Sequence, residues 1–228
     1  MFPLKNTPLF RTPFGAIVCG PTLSGKSEFV FSLLRNREKA IQNCPERVVY
    51  CYGENQPGFD RLRESDPTIE FVKGLKQVLD QDDYFDPLIP TLLILDDLGQ
   101  EVADDKRSSQ LFTQKIHHRN VSLILIMQNL YKQGRSMRDV SLNAQYLILF
   151  KSVRDVGQIN TLARQMGLPH LPEAYRKVTS EPWTPIVIDM KPDCADYLRV
   201  RSHVLSGQIT RIYVSKKTPI PQEQCRTE

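Results

Sequence analysis

Eight consecutive residues constrain this chain more than anything else in it: Gly20-Pro21-Thr22-Leu23-Ser24-Gly25-Lys26-Ser27. They match G-x-x-x-x-G-K-[ST] at every fixed position. They also sit between an apolar, strand-like run at residues 14–19 and a helical pattern over residues 27–36, where Phe29, Val30, Leu33 and Leu34 recur at helical spacing. In that context two glycines let the backbone curl with its N–H groups facing inward, as an anion-binding nest. The helix that follows aims its N-terminus at the bound anion. Lys26 adds a point charge for β and γ phosphates, and the Ser27 hydroxyl is a ligand for Mg2+. Pro21, Thr22, Leu23 and Ser24, between the glycines, and Glu28, just after Ser27, complete the phosphate-binding segment. The implied ligand is ATP or a close relative, with Mg2+.

About 70 residues further on, Leu92-Leu93-Ile94-Leu95 runs into Asp96-Asp97. A buried strand ending in carboxylates delivers them to the crevice at the C-terminal edge of a sheet. Asp96 is the expected metal-holding acid, and Asp97 the general base that polarises an attacking water. A second apolar strand, residues 121–127, ends in Gln128-Asn129. An amide there can sense a γ-phosphate or orient water, and its strand is expected between the phosphate-loop strand and the acidic one. Arg119, Arg135, Arg138 and Arg154 lie near predicted strand ends. In ring-shaped motors such an arginine reaches the neighbour's γ-phosphate, and Arg138 and Arg154 are the leading candidates. His117-His118 has no partner at metal-ligand spacing.

Further strands are predicted at residues 47–52, 91–95 and 145–150, and helices at 71–84, 104–118 and 153–166, the last capped by Gly167. Strands alternating with helices imply an α/β fold with a mostly parallel sheet covered on both faces. Residues 1–13 read as an extended lead-in, 14–170 as the core and 169–185 as a proline-rich connector. Short strands at 186–189, 197–201 and 212–214 would form a small C-terminal β appendage within an extension spanning 171–217, followed by a tail at 218–228.

A 40% hydrophobic and 25% charged composition over 228 residues is that of a globular protein. No apolar run approaches the ~18 residues that span a bilayer, and the N-terminus lacks the layout of a signal peptide, so an intracellular protein is expected. The five cysteines are scattered without C-x-x-C spacing, against a disulfide framework or a zinc site, and Cys19 and Cys51 read as buried small hydrophobes. The formal charge of +4 is unevenly spread. Residues 131–217 hold 14 Lys and Arg against 7 Asp and Glu, whereas residues 1–130 hold 15 against 17. A basic second half suits an anionic polymer, and equally an ordinary solvated surface.

The motifs resemble those of viral genome-packaging ATPases of the FtsK/HerA superfamily, namely the poxvirus-type enzyme and its relatives in Maverick/Polinton elements and adinto-like viruses. The similarity rests on Cys19 through Ser27, the 92–97 strand, and Ile126-Met127-Gln128-Asn129-Leu130. It rests above all on the block Ser141-Leu142-Asn143-Ala144-Gln145-Tyr146-Leu147-Ile148-Leu149-Phe150-Lys151-Ser152-Val153-Arg154-Asp155 and its continuation to Met166. The resemblance covers roughly residues 14–170. It implies a RecA-like core, a homo-oligomeric ring (hexamer or pentamer), and ATP hydrolysis that drives double-stranded DNA into a preformed capsid. The site of action would be that of virion assembly, in the host nucleus or cytoplasm. Gly20, Gly25, Lys26, Ser27, Asp96, Asp97 and Gln128 match the family's functional positions. The second acid is often Glu in that superfamily and is Asp97 here, one methylene shorter. No segment reads as a nuclease domain.

Two other readings stay open at this level: a nucleotide-dependent switch or loader that does not translocate, and a small-molecule phosphotransferase, which would need an acceptor pocket and an Arg-rich lid. All three share the phosphate loop. Lys26→Ala should therefore abolish nucleotide binding or turnover, as measured by calorimetric titration with Mg-ATP and by phosphate release.

Overall fold

Period-two alternation along each central strand divides this molecule into two cores, one on either face of a single sheet. The computed structural model describes residues 9–81, 83–105, 107, 119–130, 140, 142–154, 156–205, 209–215 and 218–219. The strands are β1 (Phe10–Arg11), β2 (Gly15–Cys19), β3 (Ile41–Gln42), β4 (Arg47–Tyr52), β5 (Ile69–Lys73), β6 (Thr91–Asp96), β7 (Val121–Met127), β8 (Tyr146–Leu149), β9 (Ile186–Asp189), β10 (Val200–Ser202) and β11 (Arg211–Ile212). The helices are α1 (Lys26–Arg35), α2 (Arg37–Ala40), α3 (Gly58–Ser65), α4 (Lys76–Asp80), α5 (Gly99–Asp104), α6 (Val156–Gln165) and α7 (Leu171–Val178).

Among the described residues, nine strands form the main sheet in the order β11-β10-β9-β8-β2-β7-β6-β4-β5. From β8 to β5 all pairings are parallel. Ala16, Val18, Tyr50, Ile94, Ile124, Ile126 and Ile148 point to the face covered by α1 and α3. Ile17, Cys19, Cys51, Leu95, Leu125, Met127 and Leu149 point to the opposite face, covered by α4 to α7. Strands buried on both faces read as continuous apolar runs, which is why their boundaries are visible in the sequence. The fold is α/β with a RecA-like P-loop core, as expected.

At the far side of β8 the sheet changes direction. β9 pairs with β8 antiparallel, and β10 and β11 continue antiparallel. The segments expected as a small C-terminal β appendage thus extend the edge of the main sheet, and Ile186, Ile188 and Val200 share the core with α6 and α7. A buried ion pair locks this edge: Arg201 Nη2 donates to Asp189 Oδ2 at 2.9 Å, with side-chain exposures of 5% and 4%.

Other elements also differ from the sequence reading. The apolar residues Val72, Leu75, Val78 and Leu79 predict a helix over 71–84, but residues 69–73 form strand β5 beside β4. The chain then turns at Gly74, whose φ is +75°, before the short α4. All four apolar residues face one core because strand and helix pack beneath the same sheet face, so their spacing mimics one long helix. Residues 169–185 are not a mere connector: they contain α7, whose Leu171, Ala174, Tyr175 and Val178 are buried at helical spacing. Its proline lies in the first turn, where no N–H is needed. Helix α3, with only Phe59 and Leu62 buried, had no sequence signal strong enough to declare it. The helix predicted over 104–118 falls mostly outside the described residues. The Gly167 cap stands, with φ +64° after α6.

Among the described residues no helix is long and apolar enough to cross a membrane. Cys19, Cys44, Cys51 and Cys194 are thiols outside any disulfide. Burial pushes the Cys51 thiol up to about 12, which leaves it un-ionised and inert at neutral pH.

Removing one partner of the Arg201–Asp189 pair strands a buried charge. Arg201→Met is expected to cost about 3–5 kcal/mol of unfolding free energy, read as a lower urea midpoint, and Asp189→Leu in the same chain should recover most of it.

Candidate functional site

The parallel register brings three strand ends to one edge. Cys19 pairs with Met127 on one side and Leu149 on the other, and Ile126 pairs with Asp96. The residues that follow these positions, Gly20, Gln128 and Asp97, therefore emerge side by side, and the Gly20 N–H donates to the Met127 carbonyl at 3.2 Å. Gln128 and Asp97 line a cleft of about 570 Å³ together with Thr22 to Glu28, Gln56, Arg61 and Asp96. That volume lies within the range of small-molecule sites.

The loop is built as its sequence requires. A Cβ on Gly20 would lie 2.6 Å from the Phe150 Cβ and 2.8 Å from Ser24 Oγ, so no side chain fits there. Gly25 has φ +99° and forms the N-cap of α1 without any side-chain cap, which leaves the first-turn N–H groups of α1 unclaimed by a capping side chain. Leu23 stands at the apex with φ +63° and 91% of its surface exposed. Ser24 Oγ is buried with no hydrogen-bond partner among the described residues. Lys26 is half-buried and donates from Nζ to the Pro21 carbonyl at 2.8 Å. Desolvation lowers its pKa, against the pull of Cys19, Asp96 and Asp97, so an incoming polyanion meets a poorly hydrated cation. Exposed Glu28, in the first turn of α1, pairs with Arg35 at 2.9 Å.

The two acids have opposite surroundings. Asp96 is 4% exposed. Its Oδ2 accepts hydrogen bonds from Tyr50 OH at 2.7 Å and from Gln56 Nε2 at 3.3 Å. Desolvation raises its pKa, and the neighbouring Asp97 adds to that, while Tyr50, Lys26 and Gln56 oppose it. Asp97 is exposed and left-handed, with φ +56°. That conformation breaks the strand immediately after Asp96. Gly53 makes room for the break: its N–H donates to the Asp96 carbonyl at 3.0 Å, and a Cβ there would meet the Asp97 carbonyl oxygen at 2.9 Å.

Tyr50, Gln56, Gly53 and Arg61 were not visible as site residues in the sequence. Tyr50 lies on the same sheet face as Asp96, in the neighbouring strand and diagonal to it. Its ring is held by Phe59 at 5.1 Å and Phe71 at 5.5 Å. Only the β4–β6 register reveals that contact. Gln56 and Arg61 come from the turn and helix after β4, which carry no motif.

Of the arginines, Arg154 is exposed beyond the end of β8, on the same sheet edge, but does not line this cleft. Arg119 precedes β7 and so lies at the opposite edge, where its Nη1 donates to the Phe85 carbonyl at 3.4 Å. Arg135 and Arg138, like His117 and His118, lie outside the described residues. Among those described, no cluster of three or more His, Cys, Asp or Glu is placed to hold a metal on its own. Ser27 and Asp96 are hard oxygen donors lining one cleft. Both hydrogen bonds to Asp96 fall on Oδ2. This donor set fits Mg2+, which takes one or two protein oxygens and completes its shell with phosphate and water.

A curled glycine loop between a buried parallel strand and an uncapped helix, with an acidic strand two places away, defines a P-loop NTPase fold. Solved structures with this fold include genome-packaging NTPases of viruses. The genome-packaging NTPase B204 of Sulfolobus turreted icosahedral virus 2, in complex with AMPPCP, superposes with a TM-score of 0.56 at 15% identity, over 84% of this chain and 97% of that one. B204 of Sulfolobus turreted icosahedral virus, described as a DNA-packaging ATPase, gives 0.53 at 14% identity over 89% and 98%. The cytoplasmic domain of the type VII secretion ATPase EccC from Thermomonospora curvata gives 0.53 at 14% identity over 78% of this chain and 24% of that one. No family model and no curated protein sequence matches the chain.

The raised pKa of Asp96 has a thermodynamic sign. A carboxyl whose folded pKa exceeds its unfolded value costs stability when ionised, and the cost disappears as pH falls through the folded pKa towards the unfolded one. Asp96→Asn should therefore raise the melting temperature at pH 7 in the absence of nucleotide, with the gain shrinking to nothing below about pH 4. The check is a thermal melt series across pH 3 to 7.

Proposed function

We propose that this chain is an ATPase that drives double-stranded viral, or virus-like element, DNA into a preformed capsid. The observation that carries the reading is the place of β7 in the sheet. It lies between the phosphate-loop strand β2 and the acidic strand β6, so Gln128 and Asp97 share a cleft wall with Lys26. That arrangement favours attack by water over transfer to a metabolite. The sheet shared with B204 points the same way.

In this reading the loop N–H groups of residues 20–27 and the α1 N-terminus bind the phosphates of ATP, and Lys26 draws charge from the β and γ oxygens. Ser27 and Asp96 would hold Mg2+, which when bound would neutralise charge developing on the β and γ phosphates. Gln128 orients a water in line with the γ-phosphorus. Asp97 accepts the water's proton as its oxygen bonds to phosphorus. The bond from phosphorus to the β,γ-bridging oxygen breaks, and ADP and inorganic phosphate leave. Asp97 suits this role because it is solvated and reaches into the cleft from a left-handed turn, whereas buried Asp96 is already held by Tyr50 and Gln56.

Coupling to movement requires a neighbour. Protomers assemble as a homo-oligomeric ring, pentamer or hexamer, in which Arg154 or Arg138 enters the adjoining subunit's cleft and offsets transition-state charge. The position of Arg154 on the loop edge, outside its own cleft, suits action in trans. Lys151, Arg164, Arg176 and Lys177 are exposed in the basic half and supply cations for the phosphates of DNA. Capsid components are the remaining partners, and the place of action is the site of virion assembly within the host cell.

Assembled wild-type protein should hydrolyse ATP faster when long duplex DNA is added, with the stimulation falling steeply as salt rises. Asp97→Asn should keep ATP binding within a few-fold while turnover falls by about 10²–10⁴, measured as phosphate release beside a binding titration. A rate indifferent to DNA in the assembled oligomer would favour a switch or loader. Phosphate passing to a nucleoside monophosphate would favour a phosphotransferase.

A further inference from the structure

The chain's single tryptophan, Trp183, lies in the loop between α7 and β9, 74% exposed and with φ +54°. A large aromatic in the left-handed region is uncommon. Its position is specific. A Cβ built on Gly25 would lie 3.2 Å from the Trp183 Cβ and 3.3 Å from its Cδ1, so the indole borders the phosphate loop at its second glycine.

We infer that Trp183 is the stacking platform for the purine base of the bound nucleotide, an assignment that rests on the nucleotide-binding reading above. The direction of the ligand follows from the loop. Its γ end is assigned to the wall with Asp97 and Gln128, on the β6–β7 side. Loop N–H groups cradle the α and β phosphates, so sugar and base continue past the first turn of α1, towards β8 and β9. In that direction lies a second cleft of about 510 Å³, bounded by Gly25, Glu28 and Ser32 of the loop and α1 on one side and by Trp183 and His203 on the other. It shares Gly25 and Glu28 with the phosphate cleft, so one extended ligand can occupy both.

The segment that leads to the indole is tied to the antiparallel edge of the sheet. Glu181 accepts from Arg211 Nη1 at 2.8 Å and pairs with His203 Nε2 at 2.9 Å. His203 Nδ1 lies 2.8 Å from Ser202 Oγ on β10. Pro182 and Pro185 flank the indole's segment and restrict its backbone. A pre-set aromatic loses little entropy when a base stacks on it. Such stacking accepts any base face, so the site would hold the base of ATP through shape and π contact more than through base-edge hydrogen bonds.

As the only tryptophan, Trp183 reports directly on its own contacts. Mg-ATP and Mg-ADP should quench its fluorescence saturably, whereas inorganic tripolyphosphate with Mg2+ should bind without quenching. Trp183→Ala should raise the calorimetric Kd for ATP by on the order of tenfold or more and leave that for tripolyphosphate unchanged, which also shows that the variant is folded. Trp183→Phe should restore most of the ATP affinity. Unchanged ATP affinity in Trp183→Ala, or an equal loss for both ligands, would overturn the assignment. So would a fluorescence change that follows protein concentration rather than nucleotide, since a second copy of the chain would then be the occupant. If wild-type protein bound neither ligand, the phosphate-loop reading itself would fail, and the platform with it.

Discussion

Parallel pairing of β2 with β7 and β8 is the constraint on which the site depends. Five residues of β2 are buried on both faces, and their partners on either side fix where the chain leaves the sheet. Because Cys19 sits opposite both Met127 and Leu149, the phosphate loop, the Gln128 turn and the Phe150 turn emerge together. Slipping any of these strands by one residue would exchange their two faces and expose both cores. The fold therefore holds the cleft geometry with the whole apolar energy of the sheet, not with contacts local to the loop.

Phe150 shows how closely loop and sheet are joined. Its Cβ occupies the space a side chain at Gly20 would need, and its ring meets Phe29 of α1 edge-on at 6.0 Å. The turn after it is anchored from outside the sheet: Tyr175 OH donates to the Phe150 carbonyl at 2.9 Å and accepts from the Ser152 N–H at 2.8 Å. Helix α7 thereby holds the segment that leads to Arg154. Beyond α7 the same chain carries Trp183 back to the phosphate loop, so the antiparallel edge of the sheet contributes to the surroundings of the loop as well as to the core.

Electrostatically the cleft is arranged around unshielded charge. Burial disfavours the ionised forms of both Lys26 and Asp96, each in a position where an oppositely charged group of a ligand would restore the balance. Tyr50 and Gln56 moderate the cost at Asp96 by hydrogen bonding to one oxygen. On the function proposed above, such a site would bind a metal–phosphate complex more favourably than either ion alone, because only the pair compensates both residues.

Much of this was legible in residue order. The buried strands announce themselves as apolar runs because both of their faces are covered, and the phosphate loop announces itself because Gly20 has no room for a side chain and Gly25 is left-handed. Asp96, Asp97 and Gln128 could be read from their places at strand ends. What could not be read depends on neighbours distant along the chain. β5 and α4 shared one apolar spacing because they serve one core. α7 was hidden by prolines that its first turn tolerates. Tyr50 reaches Asp96 only through the β4–β6 register, and Trp183 reaches Gly25 only because β9 adds to the sheet beyond β8. Periodicity records which face of an element is buried, and a motif records a local backbone shape. Neither records which elements become adjacent, since that is set by packing the two faces of the completed sheet.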